Sequence, residues 1–265
     1  MSPASPSGPT VAVWPHPAAQ ALGTLLTEVV GGRAVTVQPW AATASVTDGS
    51  ADLALVPTLA VLRQPEAFSL APGAGLVGSA SPTKVLGVGV AVGAVETVAF
   101  DPRDGQEALL AQLVLREHFD LRPQFVPVED AGAEAVVTHG AALVAPGTDL
   151  EAGSVTFDLG REWVDLTSRP MPWGLVASRR GEMPPEVARA VHDAALAAGD
   201  PTGTGEFQLS LAGYGYDGLE ALADHLFYTG SIPAIPELPF APMEEEEDEP
   251  DALDRLAQLP PSGDA

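Results

Sequence analysis

The sequence predicts an α/β protein of two lobes, with mixed, mainly parallel sheets and a ligand cleft between the lobes. Two observations support this class. Short apolar runs alternate with segments whose apolar residues recur at i, i+3 and i+4, which is typical of strand-helix-strand units. The same alternation starts again near residue 95, which indicates a second unit. Ligands of such sheets bind beyond the carboxyl ends of the strands, so the loops after strands are the candidate site.

The first lobe begins with an apolar strand at residues 11–14, which Pro15 and Pro17 stop. The helix that follows has one apolar face, formed by Ala21, Leu22, Leu25, Leu26 and Val29. Further strands are predicted at 34–37 and 52–56, and the second of them ends at Pro57, before a helical turn. Residues 76–78 and 85–92 are apolar enough to be strands of the same sheet or crossovers out of it.

The second lobe begins with a strand at 95–100 that ends at Asp101 and Pro102, followed by a helix at 106–118. Three more short strands are predicted at 125–128, 135–137 and 142–144. The chain then gives an apolar stretch at 174–178, a helix between Pro184 and Gly199, and a last helix at 218–228.

These elements divide the chain into four parts. Residues 1–10 form a Ser/Pro/Gly-rich leader that we expect to be disordered and that has no secretory signal. Residues 11–94 and 173–240 form lobe 1, and residues 95–172 form lobe 2 as an insertion. Prolines and acids dominate from residue 231 on, so little packing is expected there, and residues 241–265 form an acidic, mobile tail.

Composition excludes several classes of function. A formal net charge of −24 would repel a phosphate backbone, so no nucleic-acid partner is expected. No apolar run is long enough to span a bilayer, which predicts a cytoplasmic protein without a membrane partner. The absence of cysteine excludes disulfides and Cys-ligated metals, and no cluster of other ligands has metal spacing, so we expect no metal and no cofactor. The oligomeric state is not predicted.

An acidic body that binds an anion needs local donors, which hydroxyls, helix N-termini and clustered backbone N–H groups can supply. The candidates follow predicted strands: Thr58, Ser79, Ser81, Thr83, Arg103, Gln106 and Thr138. For Thr58 a helix cap, and for the serines an ordinary turn, are equally valid interpretations. His16 lies in the loop after the first strand and is the candidate acid or base, and Trp14 is the candidate cleft wall.

The segment FDLGREWVDLTSRP, residues 157–170, resembles the YDLGxEWxxLTGLP signature of the chorismate dehydratases of the futalosine route to menaquinone. DLALVPT at 52–58 and LVLREHFDLRPQF at 113–125 are similar to further family stretches, so the resemblance covers most of residues 11–180. It implies a type II periplasmic-binding-protein-like fold and the dehydration of chorismate, a dicarboxylate, to 3-enolpyruvylbenzoate.

The chain departs from this family at two loops. The family's Leu-Asn pair after the first strand is replaced by Trp14 and Pro15, and the chain contains no asparagine. The family's Ser-Ser-Arg-Thr-Ser after Asp-Pro is replaced by RDGQE at 103–107. Within the resemblance we assign binding to Thr58, Ser81, Thr83 and Gln106 and proton transfer to His16. Asp158 and Glu162 are expected to cap a helix or hold a loop.

Two other functions stay open at this point. A cytoplasmic binding protein could close on a small aromatic or dicarboxylic acid without turning it over, and the missing family residues motivate this alternative. The related 1,4-dihydroxy-6-naphthoate synthase shares the fold, although this chain lacks the cysteine of that enzyme's Ser-Pro-Cys-Pro-Asn-Asp motif.

Overall fold

The structure is a computed structural model that describes residues 8–243. The strands in this range are β1 (Thr10–Val13), β2 (Arg33–Thr36), β3 (Leu53–Pro57), β4 (Phe68–Gly78), β5 (Val85–Val88), β6 (Thr97–Phe100), β7 (Gln124–Pro127), β8 (Ala141–Val144), β9 (Val155–Phe157), β10 (Met171–Arg179) and β11 (Phe207–Ser210). The α-helices are α1 (Pro17–Val30), α2 (Pro39–Thr47), α3 (Thr58–Arg63), α4 (Gly105–Phe119), α5 (Ala133–His139), α6 (Leu159–Thr167), α7 (Pro185–Ala197) and α8 (Tyr214–Tyr228). No helix among the described residues is long and apolar enough to cross a membrane.

Two mixed sheets form the two lobes, which confirms the predicted α/β class. The first sheet has the order β11-β4-β10-β3-β1-β2, and the second has the order β7-β6-β8-β5-β9. Parallel pairs join β1 to β2 and β3, and β6 to β7 and β8, as the strand-helix alternation predicts. The other pairs are antiparallel.

The sheets are therefore mixed rather than mainly parallel. The physical reason is the path of the chain between the lobes. Strand β4 runs toward the second lobe and β10 returns from it, so the two lie side by side in opposite directions, from the pair Met171 and Gly78 to the pair Arg179 and Phe68. Two neighbouring strands are parallel only if a crossover connection, usually a helix, brings the chain back to the starting end. A strand that returns directly from an inserted lobe has no such crossover, so it lies antiparallel to the strand that left.

Several element boundaries differ from the predicted ones. The run 85–88, placed with lobe 1 from sequence, is β5 and pairs with β8 and β9 in the second sheet. The first sheet resumes at Met171 rather than at 173, and the predicted strand at 135–137 is part of helix α5. Thr10, assigned to the leader, is the first residue of β1, and residues 1–7 lie outside the described range.

The stretch after α8 packs more than its proline content predicts. Ile232 is buried, and Phe240 forms a parallel bridge with Leu70 at the edge of β4. The backbone N–H of Leu70 donates to Pro239 O at 2.9 Å, and that of Ala241 donates to Leu70 O at 2.8 Å. Residues 239–241 thus extend the first sheet, and the acidic run from residue 244 on lies outside the described residues.

A continuous apolar core joins the two lobes on one side. Helix α4 of the second sheet's lobe points Leu110 and Leu113 toward Leu222 and Leu226 of α8, with Leu59 of α3 between them. The space left there is only about 10 Å³, which is too small for a ligand. The two lobes are therefore held together at this side, and the space between them opens on the other side of the α4 N-terminus.

Candidate functional site

A cleft lies between α2 and α3 of one lobe and the N-terminus of α4 in the other. It encloses about 320 Å³. Its walls are formed by Pro39, Trp40, Thr43, Pro57, Leu59, Ala60, Arg63, Gln64, Pro102, Arg103, Gly105, Gln106 and Glu107. The cleft thus opens beyond the carboxyl ends of β3 and β6, which is the place expected for ligands of such sheets.

Arg103 is the cation of the second lobe in this cleft, and acidic neighbours hold it in place. Its Nε donates to Asp101 Oδ1 at 2.8 Å, a second donor reaches Asp101 Oδ2, and Nη2 contacts Asp130 Oδ1 at 2.9 Å. The hydrogen bond from this guanidinium holds the pKa of Asp101 far below its usual range. Because the guanidinium is fixed, a carboxylate that binds its remaining donors meets a group of defined orientation.

Arg63 and Trp40 form the opposite wall. Arg63 is exposed at the end of α3 and makes no ion pair within the described part of the chain. Trp40 is 48% exposed, and the Arg103 guanidinium carbon lies 5.8 Å from the centre of its ring, which makes a cation–π contact across the cleft. The cleft therefore has two guanidinium groups, one from each lobe, and an aromatic ring that contacts Arg103.

Glu107 is a buried carboxyl at the inner end of the cleft. Its Oε1 accepts a hydrogen bond from the Thr83 hydroxyl, and burial raises the pKa of Glu107 above its usual value. Lys84 forms an ion pair with Asp104 at 2.9 Å, and its charge opposes the upward shift at Glu107 without cancelling it. Burial also raises the pKa of Asp104, while Lys84 opposes this shift.

Gln106 joins the two lobes at the cleft floor. Its Oε1 accepts from Leu59 N at 2.8 Å, and its Nε2 donates to Trp173 O at 2.8 Å. Leu59 N is one of the N–H groups at the start of α3 that have no partner inside the helix. The side chain of Gln106, predicted to bind a ligand carboxylate, therefore caps α3 instead.

We expect Gln106→Ala to destabilise the protein by about 3 kcal/mol, because it leaves the buried Leu59 N–H and Trp173 C=O without partners. The free energy of unfolding from denaturant titration measures this loss. Gln38→Ala is the matched control, since Gln38 is exposed and its side chain makes no capping hydrogen bond. Equal stability of the two variants would show that the amide bridge contributes nothing.

The signature segment acts as a structural clamp. Asp158 caps α6 by accepting from Gly160 N at 2.9 Å and Arg161 N at 3.1 Å, as expected, and it also accepts from Ser81 N at 3.0 Å. Gly160 touches the backbone of Ala80 so closely that a Cβ atom would lie 2.6 Å from the Ala80 carbonyl carbon. The start of α6 thus fixes the loop 79–84, which carries Thr83 toward Glu107.

The predicted hydroxyl site in this loop is used by the protein itself. Ser81 Oγ donates to Lys84 O, and Ser79 N donates to Glu206 O at 2.9 Å. The Thr83 hydroxyl is taken by Glu107. Thr58 is fully buried at the start of α3, and its hydroxyl has no hydrogen-bond partner among the described residues. These four side chains do not line the cleft.

The remaining candidates lie away from the cleft walls. His16 is the N-cap of α1, with Nδ1 accepting from Ala18 N at 3.3 Å and its ring against Phe207, and burial lowers its pKa. Trp14 is buried rather than exposed as a cleft wall, because its Nε1 donates to Leu55 O at 2.7 Å and its ring fills the space beside Gly174. Thr138 is exposed within helix α5 rather than at a strand end.

Of the candidates from sequence, the structure brings Arg103 and Gln106 into the cleft. It adds Trp40, Arg63 and Glu107, which the sequence did not indicate. Trp40 follows Pro39 directly after a strand, and proline at a first helical position could have revealed α2. For Arg63 and Glu107 no local signal exists, because an exposed arginine ending a helix and an acid in a first turn are ordinary features.

Among the described residues, no group of three or more histidine, aspartate and glutamate side chains could hold a metal ion. The functional groups that line the cleft include two guanidinium groups, an aromatic ring, a carboxamide and a buried carboxyl.

Comparison with solved structures shows the fold. Protein AF1704 from Archaeoglobus fulgidus is 16% identical over 84% of this chain and 98% of its own, with a TM-score of 0.58. An ABC transporter protein from Parabacteroides distasonis is 14% identical over 90% of this chain and 99% of its own, with a TM-score of 0.57. The alkanesulfonate-binding protein SsuA from Xanthomonas axonopodis pv. citri, bound to MOPS, is 17% identical over 88% and 96%, with a TM-score of 0.51.

These similarities agree with the expected type II periplasmic-binding-protein-like fold. No curated protein matches the sequence at a significant level. A family model does match: the description of that family is menaquinone biosynthesis, and the match covers residues 10–202, which include both sheets except β11 and all of the cleft walls. This chain belongs to the menaquinone biosynthesis family.

Proposed function

We propose that the protein is a lyase that dehydrates chorismate to 3-enolpyruvylbenzoate. The observation that carries the proposal is the pair of guanidinium groups, Arg63 and Arg103, on opposite walls of a cleft of about 320 Å³ that also presents the ring of Trp40. Chorismate has two carboxylates and a flat six-membered ring. Two cations, of which Arg103 is held by its acidic neighbours, and an aromatic wall are the groups that would orient such a molecule.

A solved structure of similar fold holds an anionic ligand. The alkanesulfonate-binding protein SsuA from Xanthomonas axonopodis pv. citri is bound to MOPS, a molecule with a sulfonate group and a ring. In this chain the overall charge is strongly negative, so the positive potential that attracts a dicarboxylate comes from the two arginines and the start of α4.

The reaction removes water from two adjacent ring carbons and makes the ring aromatic. The ring carbon that bears the enolpyruvyl ether loses its proton, the C–H electrons become a new ring double bond, and the neighbouring carbon loses its hydroxyl. The enolpyruvyl carboxylate of the substrate can accept the ring proton. Because aromatisation makes the elimination downhill, the main tasks of the protein are to orient the substrate and to assist the leaving hydroxyl.

The direct test is incubation of the purified protein with chorismate, followed by mass spectrometry. We expect a product lighter than chorismate by one water, together with new aromatic absorbance. A control without protein measures spontaneous decay of chorismate. If chorismate disappears no faster with the protein than in this control, the proposal is rejected.

A second function is favoured by one specific contact. Gln106 already occupies the N–H of Leu59, and the hydroxyls of the related family are missing at 103–107. A protein with such a cleft could bind an aromatic or dicarboxylic acid without turnover. Thermal-shift measurements with chorismate, 3-enolpyruvylbenzoate and simple dicarboxylates, run beside the turnover assay, separate the two: stabilisation without product supports the binding protein. A cytoplasmic location stays a prediction under either function.

A further inference from the structure

We propose that Glu107 is the general acid that protonates the leaving hydroxyl in this dehydration. The inference rests on the proposed function. It begins from position, because Glu107 is the carboxyl group that lines the inner end of the cleft beside Gly105 and Gln106. Glu107 is the one carboxyl residue among the described residues that line the cleft, so it is the carboxyl available to a ring held between Arg63 and Arg103.

The surroundings of Glu107 favour its protonated form. The residue is 5% exposed, and burial is the main cause of its raised pKa. The negative charge of Asp104 acts in the same direction, while the Thr83 hydroxyl and Lys84 oppose the shift. Lys84 forms its ion pair with Asp104, and Arg103 forms its ion pairs with Asp101 and Asp130, so neither cation is paired directly with Glu107.

Thr83 acts as a positioning residue for this carboxyl. Its hydroxyl donates to Glu107 Oε1 and so fixes the orientation of the carboxyl. The loop that carries Thr83 is itself fixed through Ser81 by Asp158. The signature segment and the acid are thereby connected by a short series of hydrogen bonds, which gives a physical reason for the position of the FDLG motif.

The proton balance of the step closes. The C–O bond to the hydroxyl breaks, its electrons stay on oxygen, and Glu107 supplies the proton that completes water. The ring proton passes to the enolpyruvyl carboxylate of the substrate. This carboxyl then releases the proton to solvent, solvent reprotonates Glu107, and the product leaves as a dicarboxylate. No oxidant, reductant or further reactant is needed.

The test is Glu107→Gln, because glutamine has the shape and hydrogen bonds of a protonated glutamate but cannot donate its proton as an acid. We expect kcat/KM for chorismate to fall at least about 100-fold while KM changes little. Glu117→Gln, on the exposed last turn of the same helix, is the matched control and should keep full activity.

The pH profile gives a second readout. Because the acid must be protonated, wild-type kcat/KM should fall as the pH rises through the raised pKa of Glu107, and the residual activity of Glu107→Gln should lack this limb. A loss of less than tenfold in Glu107→Gln, or retention of the limb, would overturn the assignment while leaving the proposed function intact. A wild-type protein that makes no product would overturn both.

Discussion

Replacing Arg103 with methionine is expected to lower kcat/KM for chorismate about 100-fold, chiefly through a higher KM. The guanidinium offers a fixed donor pair from one wall of the cleft, and hydrogen bonds to charged groups contribute about 1.5–3 kcal/mol each. Loss of the contact between Arg103 and one substrate carboxylate, at the upper part of that range, corresponds to roughly two orders of magnitude in the dissociation constant. Steady-state kinetics, or calorimetric titration with the product 3-enolpyruvylbenzoate, measures the change.

Arg103 also stabilises the fold, and this second effect must be separated from binding. Without it, the buried Asp101 loses the partner that keeps its pKa low, so Arg103→Met should unfold at a lower temperature than wild type. Arg63→Met is the control for this, because Arg63 makes no ion pair within residues 8–243. It should weaken chorismate binding without a comparable loss of stability.

Arg103→Lys refines the comparison. Lysine keeps the charge but cannot make the bidentate contact with Asp101 or lie flat over Trp40. We expect intermediate affinity. If Arg63→Met and Arg103→Met both bind chorismate as wild type does, the cleft between them is not the substrate site, whatever the protein's activity.

The sequence predicts the parts of this site that depend on local pattern. Pro57 and the Asp101-Pro102 pair mark the ends of β3 and β6, and the cleft opens at these two strand ends. The helical periodicity gives α4 and α7 within one or two residues, and the predicted apolar face at residues 21–29 lies within α1. The role of Asp158 also follows from local chemistry, because it caps α6. Glu162 instead contacts His118 of α4 at 3.0 Å, a contact between distant parts of the chain that the sequence does not show.

The parts that depend on how the lobes meet are not predictable from local pattern. Helix α2 has no apolar face, so its periodicity is weak. The sequence therefore indicates neither this helix nor the position of Trp40 in it. Glu107 has the position of an ordinary helix-dipole partner until Thr83 and the 79–84 loop bury it. Conversely, local pattern predicts that Ser81 and Thr83 bind an anion, because it does not show their hydrogen bonds to Asp158 and Glu107. Contacts between residues far apart in sequence decide both outcomes.

Gly160→Ala is expected to destabilise the protein by about 3 kcal/mol, although alanine is the better helix former. Gly160 lies in the first turn of α6, where helix propensity alone would favour alanine by about 1 kcal/mol. The added Cβ atom would lie 2.6 Å from the Ala80 carbonyl carbon and 2.9 Å from Ala80 Cα and N. These are backbone atoms, which cannot rotate away as a flexible side chain could, so the loop or the helix must move.

The sign of the effect is what makes this substitution informative. Gly199→Ala is the matched control, because no atom lies within 4 Å of the Cβ position at Gly199 and its φ is not positive, so alanine there should be neutral or slightly stabilising. A melting temperature lower by roughly 6–12 °C for Gly160→Ala is the expected difference. If both variants melt together, α6 does not dock on the 79–84 loop as described. If Gly160→Ala is destabilised, the displaced loop carries Thr83 away from Glu107. Turnover should then fall by more than the loss of folded protein explains, because the position of the Glu107 carboxyl depends on its contact with Thr83.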